Sequence, residues 1–327
     1  MKQTQPGKTM EGRLRSKAVL TRKTKRTCFV LAILLPFAAW MLVYMLIPLA
    51  SVIFYSFTDA KMAYDDFSFV GLYQFEKLFT SPSAITSIWN SVKAALVIMP
   101  ISLVLALLTA AGLNALSDRF RSLYTFVYFL PNIMSMTAIC LVWRWLYHDN
   151  YGIINAFLQV LGFEKQQFLK SSEQALICLC VIHIWSIFGY YAVILLAAMR
   201  GIDKSLYETA DLSGANAWQK FWYVTMPMLK NQLLFVCIML TTSAFMFFTP
   251  VKVLTDGTPG DSTLVMLLYI YRQGIQQGNI AYSSAMSLVL MGIILCFSLL
   301  QWILTKERKA KDYTTPKKNK QSKEAKA

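Results

Sequence analysis

The chain has 327 residues, 56% of them hydrophobic, and a mean hydropathy of +0.46, above the balance of soluble domains. Lys and Arg number 32 against 17 Asp and Glu, and the net charge of +15 comes mainly from two tails that abut apolar runs. Tails of this kind set topology and attract anionic lipid. They lack the folded basic surface that reading a nucleic acid requires.

Residues 1–27 form the first tail, dense in basic residues from Lys2 to Arg26. Six stretches then approach the length of about 20 apolar residues that a helix needs to cross a bilayer. They are Phe29–Phe57, Ile88–Leu113, Leu123–Leu146, Ala175–Met199, Leu233–Val251 and Ser283–Leu304. The first is far longer than a signal-peptide core and reads as an uncleaved anchor. Lys93 and Arg144 sit near span ends, where long basic side chains reach the interface. Residues 305–327 form a second basic tail, from Lys306 to Lys326. The expected architecture is an all-α integral membrane protein, a six-span domain over 28–304 between two cytoplasmic tails.

With an even number of spans both ends share one side, and the Lys/Arg excess makes that side cytoplasmic. Arg119, Arg121, Arg200, Lys204, Lys220 and Lys230 then fall on the same side. The acidic or balanced loops around Asp59–Lys77, His148–Glu173 and Lys252–Arg272 fall outside. The six cysteines, Cys28, Cys140, Cys178, Cys180, Cys237 and Cys296, lie in or beside apolar runs without a CxxC pair, and read as small core residues.

The polar stretch Gly201–Lys230, between the fourth and fifth spans, predicts two short helices. Asp203 caps the first, which runs to about Leu212. Ser213-Gly214 breaks it, because glycine tolerates the backbone of a sharp turn. The second starts near Asn216, with Gln219 at capping-box spacing, and ends at Pro227.

Chemistry is sparse. Gly7-Lys8-Thr9 lacks the first glycine of a P-loop, where Lys2 stands, and no strand precedes it. The two histidines, His148 and His183, belong to no HExxH motif, and GxSxG is absent. An intramembrane hydrolase built on His183 would lack an acidic partner within a span. An ion-driven carrier would place carboxylates at midplane, and these too are missing. No pore-lining ring of charges points to a channel. No catalytic, metal or cofactor residue is expected, and the energy source must sit on another polypeptide.

Glu208-Thr209-Ala210, Asp211-Leu212-Ser213, Gly214 and then Val224-Thr225-Met226-Pro227 resemble the EAA loop of ABC-importer permeases, with Thr209 for the middle alanine and Met226 for the final leucine. Further landmarks resemble the MalF-type sugar permeases, a branch of the binding-protein-dependent importers. They include Phe129-Leu130-Pro131-Asn132, Trp143-Arg144-Trp145-Leu146, Tyr151-Gly152-Ile153-Ile154-Asn155, Leu254-Thr255-Asp256-Gly257-Thr258-Pro259 and Ala281-Tyr282-Ser283. Glycerol-phosphate permeases share much of this pattern. The chain departs from it at Thr258, where a second glycine is usual, and at Thr249, near the place of an acidic residue.

The resemblance implies a type I ABC importer permease fold in a bacterial cytoplasmic membrane. It also implies a second homologous permease subunit, two ABC ATPase subunits and an extracytoplasmic solute-binding protein as partners, and a carbohydrate as cargo. Glu208, Thr209, Ala210, Asp211, Gly214 and Pro227 become the candidate ATPase-coupling residues. Asn132, Met136, His183, Ile187, Tyr190, Ala244 and Phe247 become the candidate substrate path. A membrane anchor or regulatory subunit that holds an ATPase without passing solute is the alternative; it explains the loop but not the polar face of the fourth span.

Overall fold

The computed structural model describes residues 29–62 and 67–305; the two basic tails and Cys28 lie outside them. The chain opens with helix α1 (Phe29–Tyr55), whose residues are exposed as far as Ala50. Over Leu42–Leu46 the helix widens, and the Ile47 N–H donates to the Leu42 carbonyl, five residues back. Pro48 follows at once. A proline lacks an N–H and its ring collides with the carbonyl four residues earlier, and the wider turn relieves both.

Helix α2 (Tyr73–Thr80) is short, and α3 (Pro82–Ala115) runs for 34 residues. The stretch expected as one span over Leu123–Leu146 is instead two helices, α4 (Asp118–Ile133) and α5 (Met136–Leu146), bent by 94°. Pro131 weakens the last turn of α4, and Met134 and Ser135 then take extended backbone. A short helix α6 (Ile153–Val160) precedes α7 (Ala175–Arg200). Beyond the polar insert come α10 (Lys230–Phe245) and α11 (Thr249–Leu254), parted ahead of Pro250 but long and apolar enough together to form one span. The insert's own helices are α8 (Lys204–Leu212) and α9 (Ala217–Lys220). Last come α12 (Met266–Tyr271) and α13 (Ile280–Thr305). Among the described residues five helices are long and apolar enough to cross a membrane, or six with α4 and α5 taken as one bent span.

The framework is the seam between α3 and α7. On α3 the buried residues Ser87, Ser91, Ala94, Ala95, Ser102, Ala106 and Ala110 are small and recur about every turn. Hydrocarbon supplies no hydrophobic drive between helices, so association relies on close backbone approach and dispersion, which small side chains permit. Large apolar residues of α7, Leu179, Ile184, Tyr191, Leu195 and Leu196, are buried in the clusters that contain this stripe. The other face of α3, with Leu96, Ile101, Val104 and Leu108, stays exposed. Gly189 gives α7 a second close approach: a Cβ there would strike the backbone carbonyl of Tyr128 on α4.

Each end of the bundle is tied by polar contacts. At the insert end the Arg121 guanidinium donates to the carbonyls of Leu113, Asn114 and Leu116, closing the C-terminus of α3. It also pairs with Asp118, which lies 3.5 Å from Arg200 at the end of α7. At the far end Asn90 donates to the carbonyls of Asp261 and Leu264, and Ser91 accepts from the Met266 N–H at 2.8 Å. These bonds hold the 255–266 loop against α3. Cys140, Cys178 and Cys180 are buried as expected, but Cys237 is half-buried and Cys296 exposed, because α10 and α13 are only partly covered within this chain.

Gly189→Val is expected to destabilise the protein by about 1–3 kcal/mol, since a backbone carbonyl has no room to yield. Gly112→Ala, whose Cβ would meet nothing within 4 Å, should leave stability unchanged or slightly raised. Thermal unfolding of the detergent-purified protein measures both.

Candidate functional site

The polar insert stands clear of the bundle, and local chemistry shapes it. Asp203 accepts from the Ser205 N–H at 3.0 Å, capping α8. That bond holds the Asp203 carboxyl below the usual carboxylate range. The cap is therefore complete above the unfolded-state pKa and fades only as pH falls through the lower folded one. Helix α8 ends on Gly214, at φ +74°, where the Gly214 N–H donates to Asp211 and the Ala215 N–H to Ala210. This paired closure needs a left-handed residue, and glycine supplies it without a Cβ clash. Asn216 and Gln219 exchange both bonds of a capping box, each 2.9 Å long, and start α9.

Pro227 does not end the second helix, contrary to expectation. A wide turn over Phe221–Thr225 carries the chain past it, with the Met226 N–H donating to the Phe221 carbonyl. The device is the one seen ahead of Pro48. Only a brief break at Leu229 separates this segment from α10. The second arm of the insert is thus a nearly continuous lever into the fifth span.

Two contacts between the arms went unforeseen. Tyr207 Oη lies 2.9 Å from Thr225 Oγ1, and Thr225 is buried. Lys220 Nζ lies 2.6 Å from an Asp211 oxygen, so the Asp211 carboxylate is engaged inside the insert. The partners sit 18 and nine positions apart across a turn, where no sequence spacing pairs them. Ile202 and Leu229 root the base of the insert in the α3–α7 cluster, with Tyr207 and Phe221 packed alongside. At the tip, Glu208, Thr209 and Gly214 are exposed, Ala210 is half-buried, and Leu212 is 92% exposed. Trp218 and Tyr223 are also exposed, an apolar surface that this chain does not cover.

The path candidates fall into two groups. His183, Ala244 and Phe247 are buried within the chain. His183 Nε2 lies 3.2 Å from Ser243 Oγ, its ring centroid is 5.1 Å from that of Phe247, and its Nδ1 has no partner among the described residues. Tyr190 and Asn132 are exposed, with Phe129 6.3 Å from the Tyr190 ring. Ile187 is half-buried between these groups, on the same face of α7. Met136 packs beside Ile139 and Ile182, just past the 94° bend. Among the described residues no group of His, Cys, Asp or Glu could hold a metal ion.

A model of the family described as binding-protein-dependent transport system inner membrane components matches residues 98–309. The chain belongs to this family. It is 32% identical over 254 residues to a probable ABC transporter permease of Pyrococcus horikoshii, covering 76% of this chain and 87% of that one. It is 31% identical to the arabinooligosaccharides transport system permease AraP of Halalkalibacterium halodurans, over 73% of this chain and 76% of that one. With the lactose permease LacF of Rhizobium radiobacter it shares 30% identity over 84% and 93%. Among solved structures it superposes on a chain of a bacterial ABC transporter that imports alginate, with TM-score 0.74, 22% identity, and 88% and 98% coverage. The permease thus has the type I importer fold and is a multi-pass membrane component of an ABC transport system.

Tyr207→Phe removes the bond to buried Thr225 and should cost about 1 kcal/mol. Because the loss is local, hydrogen exchange should rise over residues 217–225 while exchange in α3 and α7 stays unchanged.

Proposed function

We propose that this permease forms one half of a heterodimeric pore for a carbohydrate, driven by ATPases on separate chains. The single observation that carries the reading is an exposed, two-armed, cross-bonded insert in a chain of this family, parted from a membrane span only by the break at Leu229. The relatives named for arabinooligosaccharides and lactose support a carbohydrate cargo. A structure of the alginate transporter in complex with a pentasaccharide-bound periplasmic protein, with TM-score 0.76, supports delivery by a binding protein.

In this reading the insert is the coupling loop, it faces the cytoplasm, and both termini lie on the same side. Glu208, Thr209, Ala210 and Gly214 present a shallow helix surface to the ATPase, while Asp211 holds the two arms together through Lys220. Closing of the ATPases on ATP moves the tip. The Tyr207–Thr225 bond and the Asp211–Lys220 pair make the arms move as one body. The helical run past Pro227 passes that motion into α10, where Ser243 meets His183 on α7, with Phe247 just beyond the end of α10 against the same ring. A tilt of α10 would thereby alter the contact between the two polar spans and switch access to the path. The insert transmits force, and no bond chemistry is asked of it.

For the path, Asn132 and Tyr190 offer hydrogen-bonding groups at the chain's surface, and the Phe129 and Tyr190 rings offer flat apolar faces. Sugars need both, for their hydroxyls and their C–H faces. His183, Ile187, Ala244, Phe247 and Met136 back these groups and shape the wall.

Gly214→Trp should reduce uptake of radiolabelled sugar to background while membrane insertion stays normal. A bulky left-handed residue costs about 1–2 kcal/mol and blocks close approach at the tip. Uptake at the wild-type rate would reject the coupling role. With Leu212→Cys in a background whose native cysteines are removed, an impermeant thiol reagent should label the protein only after cells are opened. Labelling in intact cells would place the insert outside and overturn the orientation.

A further inference from the structure

A cavity of about 440 Å³ opens between the far-end portions of α3 and α7, and none of the coupling or path candidates lines it. Its polar rim carries Lys93 and Glu173, with Asn90, Ser172 and Ser262; its deeper wall is apolar, including Val97, Leu176 and Ile177. Lys93 and Glu173 form no ion pair with each other or with any other described residue. The Ser262 Oγ is buried without a hydrogen-bond partner among the described residues. One cavity therefore holds an unpaired cation, an unpaired anion and an orphaned hydroxyl above an apolar wall.

Depth is decided by helix geometry. From Ala94 to Ala115, α3 rises about 33 Å, close to the hydrocarbon thickness of about 30 Å. Lys93 thus stands at the border between hydrocarbon and headgroups. Glu173 lies two residues before the start of α7 at Ala175, on the same border. The apolar wall continues inward from the two charges, and Ile177 is 58% exposed at its edge.

We propose that this cavity binds one phospholipid with a zwitterionic, proton-donating headgroup, of the phosphatidylethanolamine class. The phosphate sits on Lys93, the ammonium donates to Glu173, and an acyl chain lies along Leu176 and Ile177. An anionic headgroup would satisfy Lys93 but place its charge against Glu173. A trimethylated headgroup carries the positive charge but has no proton to donate. This site is separate from the coupling insert and from the candidate sugar path, and does not depend on the cargo.

The test is native mass spectrometry of the complete importer complex, exchanged into nanodiscs containing equal parts phosphatidylethanolamine, phosphatidylglycerol and phosphatidylcholine. The wild-type complex should retain one phosphatidylethanolamine with at least about fivefold preference over each of the other two. Lys93→Gln and Glu173→Gln should each abolish that preference while the complex stays assembled. Equal retention of the three lipids by the wild type would overturn the proposal, and that comparison needs no variant. A preference that survives either substitution would also overturn it, because the argument requires both charges.

Discussion

The close approach of α3 and α7 is the constraint on which the other features rest. In a lipid environment apolar surface gains little by leaving its solvent, so two spans need intimate backbone contact to hold a fixed relation. The serine and alanine stripe from Ser87 to Ala110 allows that contact along most of α3. The two helices then form a beam. Its insert end is closed by Arg121, Asp118 and Arg200, and its far end is laced to the 255–266 loop by Asn90 and Ser91. The base of the insert is rooted in the same beam through Ile202 and Leu229.

Against this fixed element the permease carries parts whose backbone departs from regular helix. The wide turn before Pro227, the break at Leu229 and the parting of α10 from α11 ahead of Pro250 all lie on one route, from the insert to the His183 contact. Interruptions of this kind release backbone hydrogen bonds locally and are where a helix bends. The route therefore joins rigid segments through defined joints, whereas in the beam α3 continues as α-helix through its one internal proline, Pro100, and α7 has none. Polar groups at the joints find partners within the chain, as Thr225 does with Tyr207 and Ser243 with His183.

Much of the local structure was legible in the residues. The caps at Asp203 and Asn216 and the glycine closure at Gly214 fell where expected, because each depends on a few neighbouring residues. Pro227 was misjudged. The usual rule that proline ends a helix holds for α-helical turns, and a wider preceding turn removes the clash on which the rule rests. The bend between α4 and α5 was missed for a related reason: the hydropathy of Leu123–Leu146 reports how apolar a stretch is, not whether its backbone runs straight. The turn itself, Met134-Ser135, carries no glycine or proline, and Pro131 three residues ahead weakens the helix without fixing the size of the bend.

By itself the sequence determined the all-helical membrane class, the positions of most spans, the insert and its caps, and the family resemblance. These depend on composition, charge distribution and contacts between near neighbours along the chain. Only the tertiary structure decided which polar groups meet. Asp211 turned inward to Lys220, Tyr207 found Thr225, His183 found Ser243, and Lys93 and Glu173 came to share a cavity without pairing. Those meetings depend on how helices cross and rotate against one another, and on side-chain shape at distant positions, which no periodicity along a single chain encodes.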